Sequence, residues 1–107
     1  MNQKKLLNQE QLKDAIKSGV ILMDFNAPWC APCRAQKPIL DQLEREYHGK
    51  FSVMVLDVDE HRESAMAFGI TSIPTLIIFK EGKEVERFIG FQNAKALSTV
   101  IDKALAE

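Results

Sequence analysis

The sequence lacks the features on which several classes of protein depend. Its 107 residues carry 14 basic and 15 acidic side chains, for a net charge of −1, which provides no basic surface for nucleic acid. No five like charges follow one another, and charged residues interrupt every apolar run, so no run reaches the length of a membrane span. We therefore expect neither a nucleic-acid partner nor a membrane partner.

Histidine and cysteine are scarce, with two of each. His48 and His61 are too far apart to supply an H-x3-5-H half-site for zinc, and a structural zinc site needs four ligands at recognisable spacings. A haem attachment motif would require histidine where Arg34 stands. We therefore expect no metal, and unassigned surface histidines are the simplest interpretation.

The amino-terminal segment 1–8 has two lysines, as a signal peptide does, but only Leu6 and Leu7 follow before polar residues resume. Because a signal peptide needs a longer apolar region, we do not expect export. The sequence predicts a cytoplasmic protein, whose thiols are reduced by default.

Apolar periodicity and chain breakers predict a single α/β domain over residues 1–107. Helices are predicted near 8–17, 32–47, 59–69 and 97–105, and strands near 20–25, 51–58, 75–80 and 84–89, with a short edge strand near 4–6. The strands at 20–25 and 51–58 are almost continuously apolar, which is typical of strands buried on both faces. This order predicts a parallel core finished by an antiparallel hairpin, with helices on both faces.

Both cysteines lie in the segment Trp29-Cys30-Ala31-Pro32-Cys33, between a strand-like run and a helix-like run. A disulfide between them would close a loop too small to provide even the roughly 3 kcal/mol expected for a loop of about 15 residues. A C-x-x-C segment beside a βαβ pattern is typical of a redox motif. We therefore interpret the pair as a redox site, with two inert buried thiols as the alternative.

Asp24 is the most suggestive residue outside the cysteines, because it interrupts the apolar run 21–25. A carboxyl at that position should be desolvated, which raises its pKa. A raised pKa suits proton exchange near neutral pH. The alternative is an aspartate at a strand edge that faces solvent.

Further residues form an ordered set around the C-x-x-C segment. The set is Asp24-Phe25, Ala27, Trp29-Cys30-x-Pro32-Cys33, Pro38, Phe68-Gly69-Ile70, Ile73-Pro74-Thr75, Gly82 and Gly90. With this order and spacing, residues 20–106 resemble the thioredoxin family. The resemblance implies the thioredoxin fold, a central mixed sheet of four or five strands flanked by about four helices on both faces.

The resemblance also implies roles for the residues of the active site. Cys30 would be the nucleophile, stabilised as a thiolate at the amino end of the following helix, and Cys33 would be the shielded resolving thiol. Asp24 would lie behind the cysteines and exchange a proton with Cys33. Ala31 and Pro32 complete the motif, with Ala31 where the family usually has glycine, which bears on the reduction potential.

A substrate-binding surface is implied beside the cysteines. It would comprise Trp29, Ile73, Pro74, Gly90 and Phe91, with a cis bond between Ile73 and Pro74. The alternatives are a packing role for Trp29 and a turn role for Gly90.

Three further departures from the family pattern bear on the reduction potential and on partner choice. Val55 stands at a strand position that often holds a charged residue, and we expect it to desolvate Asp24 further. Asn26 replaces a residue that is often aromatic, and Phe91 one that is commonly small.

The expected function is that of a protein disulfide oxidoreductase, which reduces oxidised client proteins through Cys30 and Cys33. It would bind no cofactor, receive electrons from a thioredoxin reductase and act as a monomer. Two alternatives remain. One is a disulfide oxidase or isomerase, although those relatives usually place histidine between the cysteines; the other is a binding module of the same fold with incidental redox activity.

Overall fold

The computed structural model describes residues 9–106, and four helices and four strands lie within that range. In chain order they are α1 (Gln9–Ile16), β1 (Val20–Asn26), α2 (Ala31–Glu46), β2 (Ser52–Asp57), α3 (Arg62–Ala67), β3 (Thr75–Lys80), β4 (Lys83–Ile89) and α4 (Ala94–Ala106). The eight elements predicted within this range are present, with ends that differ by three residues or fewer. The edge strand expected near 4–6 lies outside the described residues. No helix in the described range is long and apolar enough to cross a membrane.

The four strands form one mixed sheet in the order β2-β1-β3-β4. β1 runs parallel to β2 but antiparallel to β3, and β3 is antiparallel to β4. The predicted parallel core is therefore correct for β1 and β2 and wrong for β3. The reason is the connection from β2 to β3, whose helix α3 has six residues and is about 9 Å long. That is shorter than a strand of about 20 Å, so α3 does not carry the chain back across the sheet, and β3 runs in the opposite direction to β2.

Side-chain alternation along the strands produces one apolar core on each face of the sheet. On the first face, sheet residues pack against α2 and α4; these are Val20, Leu22, Leu76 and Ile78. On the second face, sheet residues pack against α1 and the segment after α3; these are Ile21, Met23, Phe25, Ile77 and Phe79. Helices cover both faces, as predicted. Because alternate residues of a strand share a face, Asp24 lies on the first face, together with α2.

β2 is less buried than the sequence predicts. Ser52 and Val55 are exposed, whereas Leu56 and Asp57 are buried. β2 lies at one end of the four-stranded sheet formed by the described residues. The apolar run predicted a strand covered on both faces, and that prediction is wrong because this strand position leaves Val55 at the surface.

Candidate active site

The two cysteines lie at the amino end of α2, shortly after β1 ends. Cys30 is the N-cap residue of α2, and Cys33 lies in its first turn. They are joined by a disulfide, with their Cα atoms 5.2 Å apart. Both are nearly buried, since Cys30 is 5 % exposed and Cys33 3 %. The described residues contain no group of three or more His, Cys, Asp or Glu side chains placed to hold a metal ion.

The positions of the two cysteines in the helix, rather than their exposure, distinguish them. The backbone N–H of Cys33 donates a hydrogen bond to Sγ of Cys30 over 3.3 Å. An N-cap side chain accepts from N–H groups of the first turn that have no partner within the helix, and the helix dipole adds positive potential there. Once the disulfide is reduced, the Cys30 thiolate therefore has both a hydrogen-bond donor and a favourable electrostatic field.

Ala31 and Pro32 occupy the first two positions of α2, and both are exposed. Proline is tolerated there because an N–H in the first turn has no acceptor within the helix. Neither residue places a charge beside Cys30, so the local donors of α2 are the features that favour its thiolate.

Asp24 is buried in the middle of β1, with 1 % of its surface exposed. Its Oδ1 has no hydrogen-bond partner among the described residues, and its Oδ2 accepts only a long hydrogen bond of 3.5 Å from the side-chain amide of Asn26. Burial raises the pKa of Asp24 to about 6, while the Asn26 hydrogen bond and the charge of Lys37 act in the opposite direction. The predicted burial and raised pKa are confirmed, and the solvent-facing alternative is wrong.

A surface cavity of about 330 Å³ lies between the end of β1, the first turns of α2 and β2. Its lining residues are Asn26, Ala27, Pro28, Cys33, Arg34, Lys37, Val55 and Asp57. The cavity therefore brings together one cysteine, the amide that contacts Asp24 and the lysine that lowers its pKa. Four polar side chains are among its lining residues, and a space of this size has room for water.

Trp29 lies in the turn before Cys30, and 67 % of its surface is exposed. Its Nε1–H donates a hydrogen bond of 2.9 Å to Oδ2 of Asp59, in the turn after β2. The indole is therefore a surface group and not a packing aromatic of the core. Sequence reasoning missed Asp59 as its partner, since only the fold brings together two residues 30 positions apart.

Ile73 and Pro74 directly precede β3, and the bond between them is cis, as the resemblance implies. Ile73 packs against the cluster that contains Cys30 and Cys33. Pro74 is buried, so it contributes little exposed area to the predicted apolar surface. Its C=O accepts from the N–H of Gly90 over 2.8 Å, whereas the N–H and C=O of Ile73 make no backbone hydrogen bond among the described residues.

Gly90 and Phe91 follow β4, in a segment that the Gly90 N–H joins to Pro74. Gly90 has a φ of 97°, which favours glycine, and nothing lies within 4 Å of the position its Cβ would take. A substrate-binding role for Gly90 stays a prediction, and the alternative of a turn role is compatible with the open space beside it. Phe91 is 44 % exposed.

Gln36 is a second residue near the site that sequence reasoning missed. It is fully buried, and its side-chain amide exchanges two hydrogen bonds with the backbone of Gln92, of 3.0 and 2.9 Å. A signal was present in the sequence, because Gln36 shares the buried stripe of α2 with Cys33, Leu40 and Leu43. A polar residue on such a stripe needs a partner.

Comparison with known proteins agrees with this geometry. The family model for thioredoxin matches residues 3–103. The chain belongs to the thioredoxin family. It is 48 % identical over 92 residues to a thioredoxin of Staphylococcus saprophyticus, covering 86 % of this chain and 88 % of the relative. It is 46 % identical over 90 residues to a thioredoxin of Staphylococcus aureus, covering 84 % of this chain and 86 % of that one.

Solved structures show the thioredoxin fold as well. A mutant thioredoxin from Halobacterium salinarum superposes with a TM-score of 0.83 at 34 % identity, over 92 % of this chain and 86 % of the other. The Fasciola hepatica thioredoxin superposes with a TM-score of 0.78 at 36 % identity, over 89 % of each chain. This thioredoxin-family chain is a thiol–disulfide oxidoreductase of the protein disulfide reductase type, and its redox centre is the pair Cys30 and Cys33. Neither the binding-module alternative nor the oxidase or isomerase alternative is favoured.

Proposed function

We propose that Cys30 attacks the disulfides of client proteins and that Cys33 resolves the resulting mixed disulfide. In the first step, Sγ of Cys30 bonds to one client sulfur, and the other client sulfur leaves as a thiolate. In the second, Sγ of Cys33 bonds to Cys30 and releases the client sulfur. The client gains two electrons as a dithiol, and the protein is left with the Cys30–Cys33 disulfide.

The observation that carries this assignment is the hydrogen bond from the Cys33 N–H to Sγ of Cys30. It supports Cys30 as the sulfur that the first turn of α2 would stabilise when it carries negative charge. A thiolate is the attacking species in disulfide exchange. Cys33 lies within the first turn of α2 and would meet the client only after the mixed disulfide has formed.

Asp24 is our candidate for the group that accepts the proton of Cys33. Its buried carboxyl has a pKa of about 6, which lies in the range where a side chain exchanges protons efficiently near neutral pH. Cys33 and Asn26 both line the adjacent cavity, and Asn26 contacts Asp24. Water in that cavity would relay the proton between the thiol and the carboxylate.

Client segments would bind across Trp29, Ile73, Gly90 and Phe91, with buried Pro74 supporting the surface from below. The N–H and C=O of Ile73 make no backbone hydrogen bond among the described residues, so an extended client segment has a donor and an acceptor with which to pair. Exposed apolar surface on Trp29 and Phe91 suits contacts with varied proteins.

The catalytic cycle needs an electron donor, because each turnover leaves the cysteines oxidised. We propose a thioredoxin reductase for this role and a monomeric protein acting in the cytoplasm. The support is chemical, since a reducing compartment keeps a dithiol of this kind in its active form.

Trapping of the mixed disulfide tests the roles of the two cysteines. We expect Cys33→Ser to accumulate a covalent adduct with a synthetic peptide that contains one disulfide, because Cys30 attacks but nothing resolves the product. The Cys30→Ser variant should form no such adduct. Adduct formation by Cys30→Ser alone would reverse the assignment, and tight peptide binding by the double serine variant without reduction by the wild type would favour a binding module.

A further inference from the structure

Gln36 joins the active-site helix to the segment that follows β4. Its Nε2 donates to the backbone C=O of Gln92 over 3.0 Å, and its Oε1 accepts from the backbone N–H of Gln92 over 2.9 Å. The two hydrogen bonds imitate the pairing of one backbone with another, with a side chain as one partner. We call this pair of hydrogen bonds the Gln36 clasp.

The clasp is one of two anchors on the segment 90–92. The other is the hydrogen bond from the Gly90 N–H to the C=O of Pro74. Phe91 lies between the two anchored residues and is itself exposed. Its backbone is therefore held on one side to the residue after Ile73 and on the other to the helix that carries Cys33.

Because Gln36 is buried, its hydrogen bonds constrain the position of the segment 90–92. Gln36 has no exposed surface, and a buried amide is costly unless it is hydrogen-bonded. The amide of Gln36 therefore favours the one arrangement of the segment that places the Gln92 N–H and C=O against it. Gln36 lies three residues after Cys33, on the same buried stripe of α2. The clasp therefore fixes the position of the segment 90–92 relative to the redox pair.

We propose that Gln36 is a positioning residue, which through its clasp on Gln92 holds Phe91 as an apolar wall of the client-binding surface and so favours client segments with an apolar side chain. This inference rests on the proposed function, because it assumes that clients bind across Phe91. On this proposal, the exchange chemistry and the choice of client depend on different residues. The cysteines determine the chemistry of exchange, and the clasp determines which protein disulfides are well held while it occurs.

The test compares three substrates on matched variants. Two are synthetic peptides with one disulfide each, identical except for Leu or Gln beside one cysteine, and the third is hydroxyethyl disulfide, which is too small to span the distance to a neighbouring wall. The variants are Gln36→Met, which removes both hydrogen bonds at similar volume, and Gln42→Met, which makes the same change on the exposed side of α2. Phe91→Ala removes the wall itself.

We expect the wild type to reduce the Leu peptide with a kcat/KM about tenfold above that of the Gln peptide, the ratio that corresponds to about 1.4 kcal/mol. Gln36→Met and Phe91→Ala should each remove most of this preference through a higher KM for the Leu peptide, and neither should lower the rate on hydroxyethyl disulfide in the same proportion. Gln42→Met should behave as the wild type. The double variant Gln36→Met with Phe91→Ala should be no worse than either single variant, because both changes act on the same wall.

Amide hydrogen exchange gives a second measurement that does not depend on turnover. The Gln92 N–H should be protected in the wild type and in Gln42→Met, and should exchange faster in Gln36→Met. An unchanged preference for the Leu peptide in Gln36→Met, or an equal loss on all three substrates, would overturn the proposal. Should Gln36→Met fail to fold, a wild type with no preference for the Leu peptide or with an unprotected Gln92 N–H would also overturn it. Failure of the wild type to reduce either peptide would instead refute the proposed function and leave the clasp to be judged by exchange alone.

Discussion

Trp29 and Asp59 join two turns at the edge of the active site, through a hydrogen bond of 2.9 Å from the indole Nε1–H to the carboxylate Oδ2. Asp59 is itself positioned by its backbone N–H, which donates to Oδ1 of Asp57 over 2.8 Å. Because two thirds of Trp29 is exposed, packing alone does not fix the indole. Its orientation beside Cys30 depends on an acceptor that comes from the end of another strand.

Replacing Asp59 by alanine should therefore loosen the indole without altering the cysteines. We expect a severalfold rise in KM for a disulfide peptide, since an exposed hydrogen bond contributes only about 0.5–1.5 kcal/mol, and little change in kcat. The fluorescence anisotropy of Trp29, the only tryptophan in the chain, should fall. Glu60→Ala is the control, because it removes a neighbouring exposed carboxylate, and an Asp59→Ala variant that matched it in KM and anisotropy would contradict the prediction.

The buried carboxyl of Asp24 should reduce stability at neutral pH. Its pKa is raised to about 6 in the folded protein from its ordinary value of 3.8, so between these values the folded state retains a proton that the unfolded chain loses. The free energy of unfolding should therefore decrease as pH rises from about 4 to about 7, by about 3 kcal/mol for a shift of this size. Asp24→Asn should abolish this decrease and be the more stable protein at pH values above about 7.

Denaturant unfolding at a series of pH values measures this effect directly. Asp14→Asn serves as the control, because Asp14 is exposed on α1 and its ion pair with Lys17 is at the surface. The Asp14→Asn curve should parallel the wild type. Parallel curves for Asp24→Asn and the wild type would show that Asp24 is not the titrating group.

Local sequence patterns were sufficient to predict the elements and the redox pair. The run 20–25 is almost continuously apolar and precedes a C-x-x-C segment, so a strand, a turn and a helix N-terminus follow from neighbouring residues alone. The burial of Asp24 was predictable for the same reason, since the residues directly around it, Leu22, Met23 and Phe25, are apolar. These inferences need no knowledge of how distant segments pack.

Properties that depend on distant segments were not predictable in this way. The direction of β3 depends on the length of the connection before it, and the exposure of Val55 depends on the place of β2 in the sheet. The same holds for the Gln36 clasp, whose partners are 56 positions apart. The sequence pattern indicates whether a side chain needs an apolar environment or a hydrogen-bond partner. Which residues provide that environment or partner depends on the fold.

Lys37 is expected to keep the pKa of Asp24 from rising further. Its positive charge lowers that pKa, while its Nζ also contacts the carboxylate of Asp41 at the surface over 3.3 Å. Lys37→Met should therefore raise the pKa of Asp24 above its value of about 6, and the rate of mixed-disulfide resolution by Cys33 should begin to increase at higher pH than in the wild type.

The rate of mixed-disulfide resolution is measured by rapid mixing of a preformed peptide adduct into buffers of different pH. The pH at which this rate is half its maximum is the midpoint of the increase. Lys83→Met is the matched control, because Lys83 begins β4 at the end of the sheet remote from Pro74 and the cysteines. The control should keep the wild-type midpoint. A Lys37→Met midpoint at or below that of the wild type would show that the charge of Lys37 does not act on the titrating group.

Charged substitutions of Val55 test the role of Asp24, because opposite charges at this one position should shift the pKa of Asp24 in opposite directions. It pairs with Asp24 in register across β1 and β2, so the two side chains share a face of the sheet, and it lines the cavity beside Cys33. The other neighbours of Asp24 are Asn26 on β1, Lys37 on α2 and the apolar Leu76 on β3. Val55→Lys should lower the pKa of Asp24 by favouring its charged form, whereas Val55→Glu should raise it.

The midpoint of mixed-disulfide resolution should therefore move to lower pH in Val55→Lys and to higher pH in Val55→Glu, with the uncharged Val55→Thr between them. Because position 55 is exposed, the separation between the charged variants should shrink as added salt screens their interaction with Asp24. Each charged variant combined with Asp24→Asn should lose its shift. If the midpoints of the two charged variants still differed in the Asn background, the charge would be acting on another group, and the assignment of Asp24 as the proton acceptor would fail.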